Sequence, residues 1–467
     1  MSRILFKNAK VVRSDGAKIQ DLLVQDEKIL AVGDLKGEES DETLDLSGRL
    51  LLPGGIETHT HLQLESMGTV TADDFASGTR AALLGGTTTV LDFATQFHGE
   101  SLRQGYEHWR RKCDGNCYCD VGFHMAMTEW NEALKNEMAW AVEAGMPSFK
   151  LYMAYKDSMM VRDDEIYEAL EEAKRLGAVI GFHCENGDLI SVRVRELLEE
   201  GKSSPYWHAK SRPEQLEAEA IRRLETTAEL LDAPHYVVHL STRAGLEEIR
   251  RARHRQIPVI AETCPQYLLL DESRYGSPES CDYDEAAKVI MSPPLRGREN
   301  QAALWQALES GEIQFVGTDH CSFRIRDQKQ VGRGNFSKIP NGAPGIQLRM
   351  LLLYTYGVAA RRLSLERYAA VTAENAARYF GLYPQKGVLQ AGSDADLVIL
   401  DPRPLRTVRH EDLAEAVDYS PYEGFEVRGQ IERVYLRGRL AAKDGRCIGD
   451  KALGSWIPGH RPMTDIR

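Results

Sequence analysis

The feature that most constrains the fold is a short apolar run followed by a longer amphipathic stretch, repeated along the middle of the chain. Each run has the length of a buried strand, and the stretches place apolar residues at helical spacing, as Ile166, Leu170 and Ala173 do. Strands that alternate with helices are parallel, and eight such units favour an α/β fold of the (β/α)8 barrel type over a doubly wound open sheet. The eight runs cover residues 50–57, 87–93, 121–127, 148–153, 178–183, 236–240, 258–263 and 313–318.

Both ends of the chain lack this alternation and consist of short apolar runs separated by turns. Residues 4–6 and 29–32 are such runs near the start, and residues 396–400 and 431–436 are such runs near the end. Because chain termini commonly lie close together, the two ends can complete one small β domain. The last segment, Trp456–Arg467, is either an inter-subunit arm or a loose end, and its composition favours the loose end.

Composition excludes several classes of function. The 467 residues carry a net charge of −12 and contain no basic block, which argues against nucleic acid and against an anionic membrane surface. No run of about 18 apolar residues is present, so we expect no membrane span. The first residues have charges inside their short apolar stretch, which predicts no signal peptide.

Cysteine usage is typical of a reduced, cytoplasmic protein. The eight cysteines include no Cys-x-x-Cys pair. Cys113, Cys117 and Cys119 cluster without a histidine at matching spacing, so ordinary thiols are favoured there over a structural zinc site.

Side chains that can bind a metal follow several of the runs. His59 and His61 are two residues apart, so on a strand both imidazoles point to one face, where neutral nitrogen ligands suit a divalent cation. Barrel active sites lie at the C-terminal ends of the strands, so polar residues at the ends of later runs join this pair. Those residues are His183, His239 and Asp319.

Lys150 is the unusual member of this set, because it lies inside the fourth run. Burial beside a cation would lower its pKa towards the neutral amine. The residue either points outward or forms an ion pair elsewhere, or its amine takes up CO2 and becomes a carbamate that bridges two metals. The residues alone leave both readings open.

Several stretches together resemble the dihydropyrimidinase and D-hydantoinase branch of the amidohydrolase superfamily, over essentially the whole chain. This resemblance implies a barrel domain over residues 53–383, with a binuclear metal site, and a small β-sandwich domain from residues 1–52 and 384–467. The stretches are residues 53–61, 148–156, 183–188, 237–241, 262–267, 292–296, 318–323 and 339–342.

The resemblance also assigns the metal ligands. It implies two divalent ions, usually zinc, one held by His59, His61 and Asp319 and the other by His183 and His239. Lys150, as N6-carboxylysine, would bridge them, and a hydroxide between the metals would be the nucleophile. Asp319 would carry the proton to the leaving ring nitrogen.

Substrate contacts follow from the same resemblance. Tyr155 would support the developing oxyanion, and the main chain at Ser292 and Asn341 would hold the ring amide. Three further residues fall where relatives line the pocket for the exocyclic substituent, although core packing is an equal alternative for them. They are Leu64, Tyr152 and Met159.

The expected reaction is hydrolytic opening of a cyclic ureide, a dihydropyrimidine or a 5-substituted hydantoin, to an N-carbamoyl amino acid. Allantoinase is the alternative. Dihydroorotase is disfavoured because Gln63 replaces the arginine that grips a substrate carboxylate. A non-catalytic scaffold is disfavoured because every metal ligand is present. The resemblance also implies a homotetramer or homodimer.

One position departs from the family pattern. Glu57 stands where the family usually has aspartate. Glu57 is not expected to be a ligand, but its extra methylene could displace His59 and His61, and a displacement of about 1 Å can cost 10²-fold in rate.

Overall fold

Eight parallel strands form the barrel that the sequence predicts. The computed structural model describes residues 2–449, 452–464 and 466. Its eight-stranded parallel sheet follows chain order, and a bridge between Thr60 and His320 joins the two ends of the sheet. The predicted (β/α)8 fold is therefore confirmed. The strands are Gly55–Thr60, Thr87–Gln96, Asp120–Met127, Ser148–Tyr152, Val179–His183, His235–Val237, Val259–Thr263 and Phe315–Val316.

Helices surround this sheet and bury their apolar faces against it. Asp163–Leu176 is representative: acidic residues occupy its first turn, Ile166 and Leu170 are buried, and Gly177 ends it with φ +67°. The α-helices are Phe75–Leu84, Leu102–Cys113, Glu132–Glu143, Asp163–Leu176, Gly187–Glu199, Tyr206–Ser211, Glu214–Leu231, Arg243–His254, Pro265–Leu269, Tyr283–Ala287, Arg298–Ser310, Arg349–Leu353, Leu365–Ala369 and Asn375–Tyr379. Shorter 3-10 or π turns are Glu272–Tyr275, Lys329–Gly332, Phe336–Lys338, Tyr354–Ala359, Ala370–Glu374 and His410–Asp412.

The two ends of the chain meet in a second sheet of nine strands. Its central pair joins the ends, because Leu50–Pro53 pairs antiparallel with Leu397–Thr407. This confirms that both termini build one β unit, while the domain bounds stay a prediction. The strands are Arg3–Arg13, Gly16–Gln25, Lys28–Gly33, Glu42–Asp45, Leu50–Pro53, Leu397–Thr407, Glu426–Leu436, Arg439–Lys443 and Arg446–Cys447.

The first apolar run, residues 50–57, is not one strand. Leu50–Pro53 lies in the terminal sheet, whereas Gly55–Thr60 lies in the barrel. Gly54 makes the change of sheet possible, because a Cβ there would lie 2.0 Å from Thr88 Oγ1. Only glycine allows such a close approach between the chain and the second barrel strand.

The last segment is not the loose end that its composition predicts. Ile457 N donates to Val121 O at 2.9 Å, and the Trp456 ring lies 4.7 Å from that of Phe123. Further on, His460 N donates to Gly381 O at 3.0 Å. The described part of this segment therefore covers the N-terminal face of the barrel, because Val121 begins its third strand.

Loops gather at the opposite face, where the barrel strands end. Glu65–Ser66 and Thr69–Val70 form a small hairpin after the first strand, and the turn Lys329–Gly332 follows the eighth. Within the described residues, no helix has both the length and the apolar character needed to cross a bilayer.

Candidate active site

Two histidines and one aspartate meet where the first and eighth barrel strands end. His59 Nε2 and His61 Nε2 each lie 3.2 Å from Asp319 Oδ1. Ligand atoms of the three residues all lie within 4.8 Å of one another. This is the geometry of a site that could hold one metal ion.

A second group lies beside the first. His183 Nδ1 is 2.9 Å from His239 Nε2, and the ring of His239 stacks 5.3 Å from that of His59. Lys150 Nζ lies 2.8 Å from His59 Nε2. The structure thus brings together all six side chains that the sequence proposes as ligands.

Carboxylates orient two of the imidazoles. Glu262 Oε1 lies 2.6 Å from His59 Nδ1, and Glu185 Oε2 lies 2.8 Å from His183 Nε2. We assign the ring protons to these two nitrogens, which turns the lone pairs of His59 Nε2 and His183 Nδ1 towards the centre of the site.

The resulting donor set fits divalent cations. Burial lowers the pKa values of His59 and His239 well below the usual value, so both rings are neutral. A neutral His59 then faces the Asp319 carboxylate with a lone pair, acceptor against acceptor. A bound cation would turn this repulsive contact into coordination.

Lys150 is buried in a mostly apolar setting. Its Nζ lies 4.2 Å from the centre of the Phe93 ring and 5.2 Å from that of Tyr152. Burial lowers the pKa of its amine to about 8. The residue does not point outward, so of the alternatives to a carbamate only an ion pair within the site remains.

The backbone is strained at the same place. His239, Asp319 and Tyr155 adopt positive φ angles of 41°, 52° and 66°, and Gln63 has φ 51°. Residues other than glycine rarely adopt this conformation, and such strain tends to concentrate in functional sites.

Glu57 closes the gap between the eighth and first strands. Its Oε1 accepts from the backbone N–H of His59 at 2.9 Å and of Thr318 at 2.8 Å, while Oε2 lies 3.2 Å from Arg349 Nε. Both side chains of this ion pair are fully buried. Glu57 therefore uses its length to reach Arg349, and His59 and His61 still converge on Asp319.

A chain of polar contacts connects the metal ligands to the predicted substrate residues. Arg212 Nη1 lies 3.3 Å from Glu185 Oε2 and donates to Ser292 Oγ at 2.7 Å. Ser292 Oγ in turn donates to Asn341 Oδ1 at 3.3 Å. Tyr155 lies beside this chain, with its ring centre 5.0 Å from that of His183.

The apolar residues predicted for the pocket do not all lie together. Tyr152 is buried in a small cluster with Phe93 and Ala126, and Tyr155 and Met159 pack against that cluster. Leu64 is partly buried against the main core of the barrel instead. A pocket role for these residues stays a prediction.

Sequence reasoning missed three residues that organise the site: Glu185, Arg212 and Glu262. Two of them carried a usable signal, because Glu185 lies two residues after His183 and Glu262 is the last residue but one of the seventh run. Arg212 had none, because its contacts with Glu185 and Ser292 span 27 and 80 residues of sequence.

Comparison with known proteins shows that this chain is similar to several named enzymes. A model of the amidohydrolase family matches residues 50–441. A D-hydantoinase of Geobacillus stearothermophilus is 41% identical over 97% of this chain and 96% of its own length. A D-phenylhydantoinase of Escherichia coli O1:K1 / APEC is also 41% identical, over 97% of this chain and 98% of its own.

The fold is also similar to solved structures of dihydropyrimidinases and hydantoinases. The dihydropyrimidinase from Brevibacillus agri NCHU1002 superposes with a TM-score of 0.96 at 39% identity, covering 99% of both chains. The L-hydantoinase (dihydropyrimidinase) from Arthrobacter aurescens reaches a TM-score of 0.87 at 29% identity, covering 98% of this chain and 100% of that one.

Proposed function

This chain belongs to the amidohydrolase family, and from that membership and its buried histidine cluster we propose that it opens cyclic ureides with two divalent metal ions. It is a cyclic amidohydrolase that acts on hydantoins and dihydropyrimidines, because relatives named for those substrates are about 40% identical over nearly its whole length. The product is the N-carbamoyl amino acid. One observation carries the proposal: four histidines, Asp319 and Lys150 converge at the C-terminal ends of the barrel strands.

His59, His61 and Asp319 would hold one metal, and His183 and His239 the other. When bound, such ions supply a water that ionises near neutral pH and a Lewis acid for the ring carbonyl. We assign zinc, because neutral imidazoles with one carboxylate suit it.

Lys150, as a carbamate, would bridge the two metal positions. Three observations support this assignment: the amine is buried, its pKa is lowered to about 8, and its Nζ contacts His59 Nε2. The carbamate would add the anionic oxygen ligands that the pair His183 and His239 lacks.

Asp319 would move the proton. Although burial opposes ionisation, the hydrogen bond from the His61 ring helps to hold the pKa of its carboxyl below the usual value, so it is a carboxylate. Its Oδ1 faces His59 and His61, and we assign Oδ2 to accept the proton of the attacking water and return it to the leaving ring nitrogen.

The ring itself would be held by Tyr155, Ser292 and Asn341. Burial raises the pKa of Tyr155 well above its usual value, so the phenol keeps its proton and can donate it to the developing oxyanion. Main-chain groups at Ser292 and Asn341 would fix the ring amide, and Leu64, Tyr152 and Met159 would contact the exocyclic substituent.

The decisive experiment measures bound metal and ring opening together. Protein supplied with zinc and bicarbonate should bind two metals per chain and hydrolyse dihydrouracil, and chelator treatment should abolish turnover. Lys150→Ala should lose both bridging and most activity. If that variant keeps two metals and a near wild-type rate, the carbamate assignment is wrong. If the wild type binds two metals but leaves dihydrouracil intact, allantoin and aryl-substituted hydantoins become the substrates to test.

Assembly into a homotetramer, or a homodimer, remains a proposal from the family resemblance. Sedimentation of the metal-loaded protein tests it directly, since one chain has a mass of 52.4 kDa.

A further inference from the structure

Lys329 is a buried cation that the proposed chemistry does not use. Its side chain is fully buried, and its Nζ donates to three carbonyl oxygens, those of Ala287 at 2.8 Å, Ile290 at 3.0 Å and Gly342 at 2.7 Å. Among the described residues no carboxylate pairs with it. Burial lowers the pKa of this amine to about 7. An ammonium buried without a counter-ion is costly, and these three hydrogen bonds offset part of that cost.

The three carbonyls belong to the two segments that end in the predicted substrate contacts. Ala287 and Ile290 lie on the stretch that leads into Ser292, and Gly342 directly follows Asn341. The same two segments meet once more, because Gly342 N donates to Ile290 O at 2.9 Å.

Gly342 explains why the segments approach so closely. A Cβ at this position would lie 2.2 Å from Cys321 O, and its φ is +147°. Only glycine can occupy the position. The Asn341 segment is thus pressed between the loop after the eighth strand and the Lys329 ammonium.

The neighbouring residue connects this turn to a third loop. Gln328 Nε2 donates to Thr69 Oγ1 at 2.9 Å and to Val70 O at 2.6 Å, on the hairpin after the first barrel strand. That hairpin also contacts the substrate segment, because Asn341 Nδ2 lies 3.8 Å from Met67 Sδ. Gln328 and Lys329 therefore connect one turn to three loops: the hairpin after the first strand, the Ser292 segment and the Asn341 segment.

We propose that Lys329 is a positioning residue that sets the distance between the Ser292 and Asn341 segments and thereby the binding of the ureide ring. The proposal rests on the function proposed above. Its amine contacts three carbonyl oxygens and, among the described residues, none of the proposed metal ligands, so we expect it to act on substrate binding and not on the chemical step.

Lys329→Met tests this, because methionine fills the volume but donates no hydrogen bond. We expect KM for dihydrouracil to rise about tenfold or more, while kcat stays within about threefold and two metals remain bound. Lys329→Gln restores an amide donor without the charge and should give a smaller rise in KM. It also serves as the second variant if Lys329→Met does not fold.

Lys386→Met is the matched control, because Lys386 is another buried lysine, paired with Asp120, Asp394 and Asp396 away from the site. Its loss should lower the unfolding temperature and leave KM unchanged. An unchanged KM in the Lys329 variants, or a fall in kcat alone, overturns the proposal. Wild-type protein without ring-opening activity would instead refute the proposed function, so the two failures are distinguishable.

Discussion

Single side chains decide whether the histidines of this site can bind metal. Glu185 hydrogen bonds with one ring nitrogen of His183, and Glu262 with one ring nitrogen of His59. These contacts fix which nitrogen of each ring faces the centre of the site. Glu262 also accepts from Thr58 Oγ1 at 2.6 Å and from His239 N at 3.2 Å. One carboxylate therefore orients residues on the first and sixth strands at once, and this coupling holds the two metal positions in register.

Tyr155→Phe should keep both metals and lower kcat about 10²-fold, if the phenol has its proposed role of donating to charge that develops only in the transition state. Metal content and single-turnover ring opening of dihydrouracil measure the two effects separately. Tyr356→Phe is a suitable control, since that hydroxyl donates to Glu426 O at 2.9 Å on the terminal sheet. Unchanged turnover in Tyr155→Phe would refute its role.

Glu57→Gln should destabilise the protein by about 3–5 kcal/mol, because Arg349 becomes a buried cation without its partner. Adding Arg349→Met should recover part of that loss, since neither buried charge then remains. Urea unfolding of the metal-free protein measures both variants. If Glu57→Gln unfolds at the same urea concentration as the wild type, the ion pair does not hold the eighth and first strands together.

At the scale of elements, two loops are tied together over the apolar side of the site. His98 follows the second barrel strand, and its Nε2 donates to the carbonyl oxygen of Ser158. Ser158 and Met159 lie in the turn after Tyr155, and Met159 N donates to Tyr155 O at 3.0 Å. Glu129 supports the arrangement by accepting from Gly99 N at 2.6 Å.

His98→Ala should therefore loosen the turn that carries Met159. We expect KM for a phenyl-substituted hydantoin to change about fivefold, the effect of one lost hydrogen bond, while KM for dihydrouracil changes little. Steady-state kinetics on both substrates checks this. His254→Ala removes an exposed histidine at the end of a distant helix and is the control. Equal changes for both substrates would show that the contact does not select the substituent.

These elements also show how far sequence alone reaches. Eight apolar runs predict the barrel because buried parallel strands leave a strong local pattern, and the proposed metal ligands stand out because they lie at the ends of those runs. The split of residues 50–57 between two sheets is invisible, since an apolar run does not record a change of partner. The sequence also does not predict the roles of Lys329, Arg212 and Glu57, because these roles depend on contacts between residues far apart in sequence.

The whole molecule divides stability and chemistry between the two faces of the barrel. The proposed metal ligands lie at the C-terminal face, whereas the described part of the last segment lies at the other. Lys386 connects the barrel to the terminal sheet, because its Nζ lies 2.5 Å from Asp120 on the third barrel strand and 2.9 Å from Asp396 just before the strand Leu397–Thr407. Changes at this face should alter stability without altering the reaction.

Trp456→Ala tests that division. The ring packs against Phe123 at 4.7 Å and Tyr106 at 5.7 Å, and the Arg110 guanidinium lies 5.0 Å from its centre. Because the side chain is only partly buried, its removal should cost about 1–3 kcal/mol, less than a fully buried tryptophan. Urea unfolding measures that loss, and Leu230→Ala, at a side chain 74% exposed, should cost almost nothing. Below its unfolding temperature Trp456→Ala should keep wild-type kcat and KM, since the site lies at the far end of the strands; a change in either would mean that the last segment reaches the active site through the barrel.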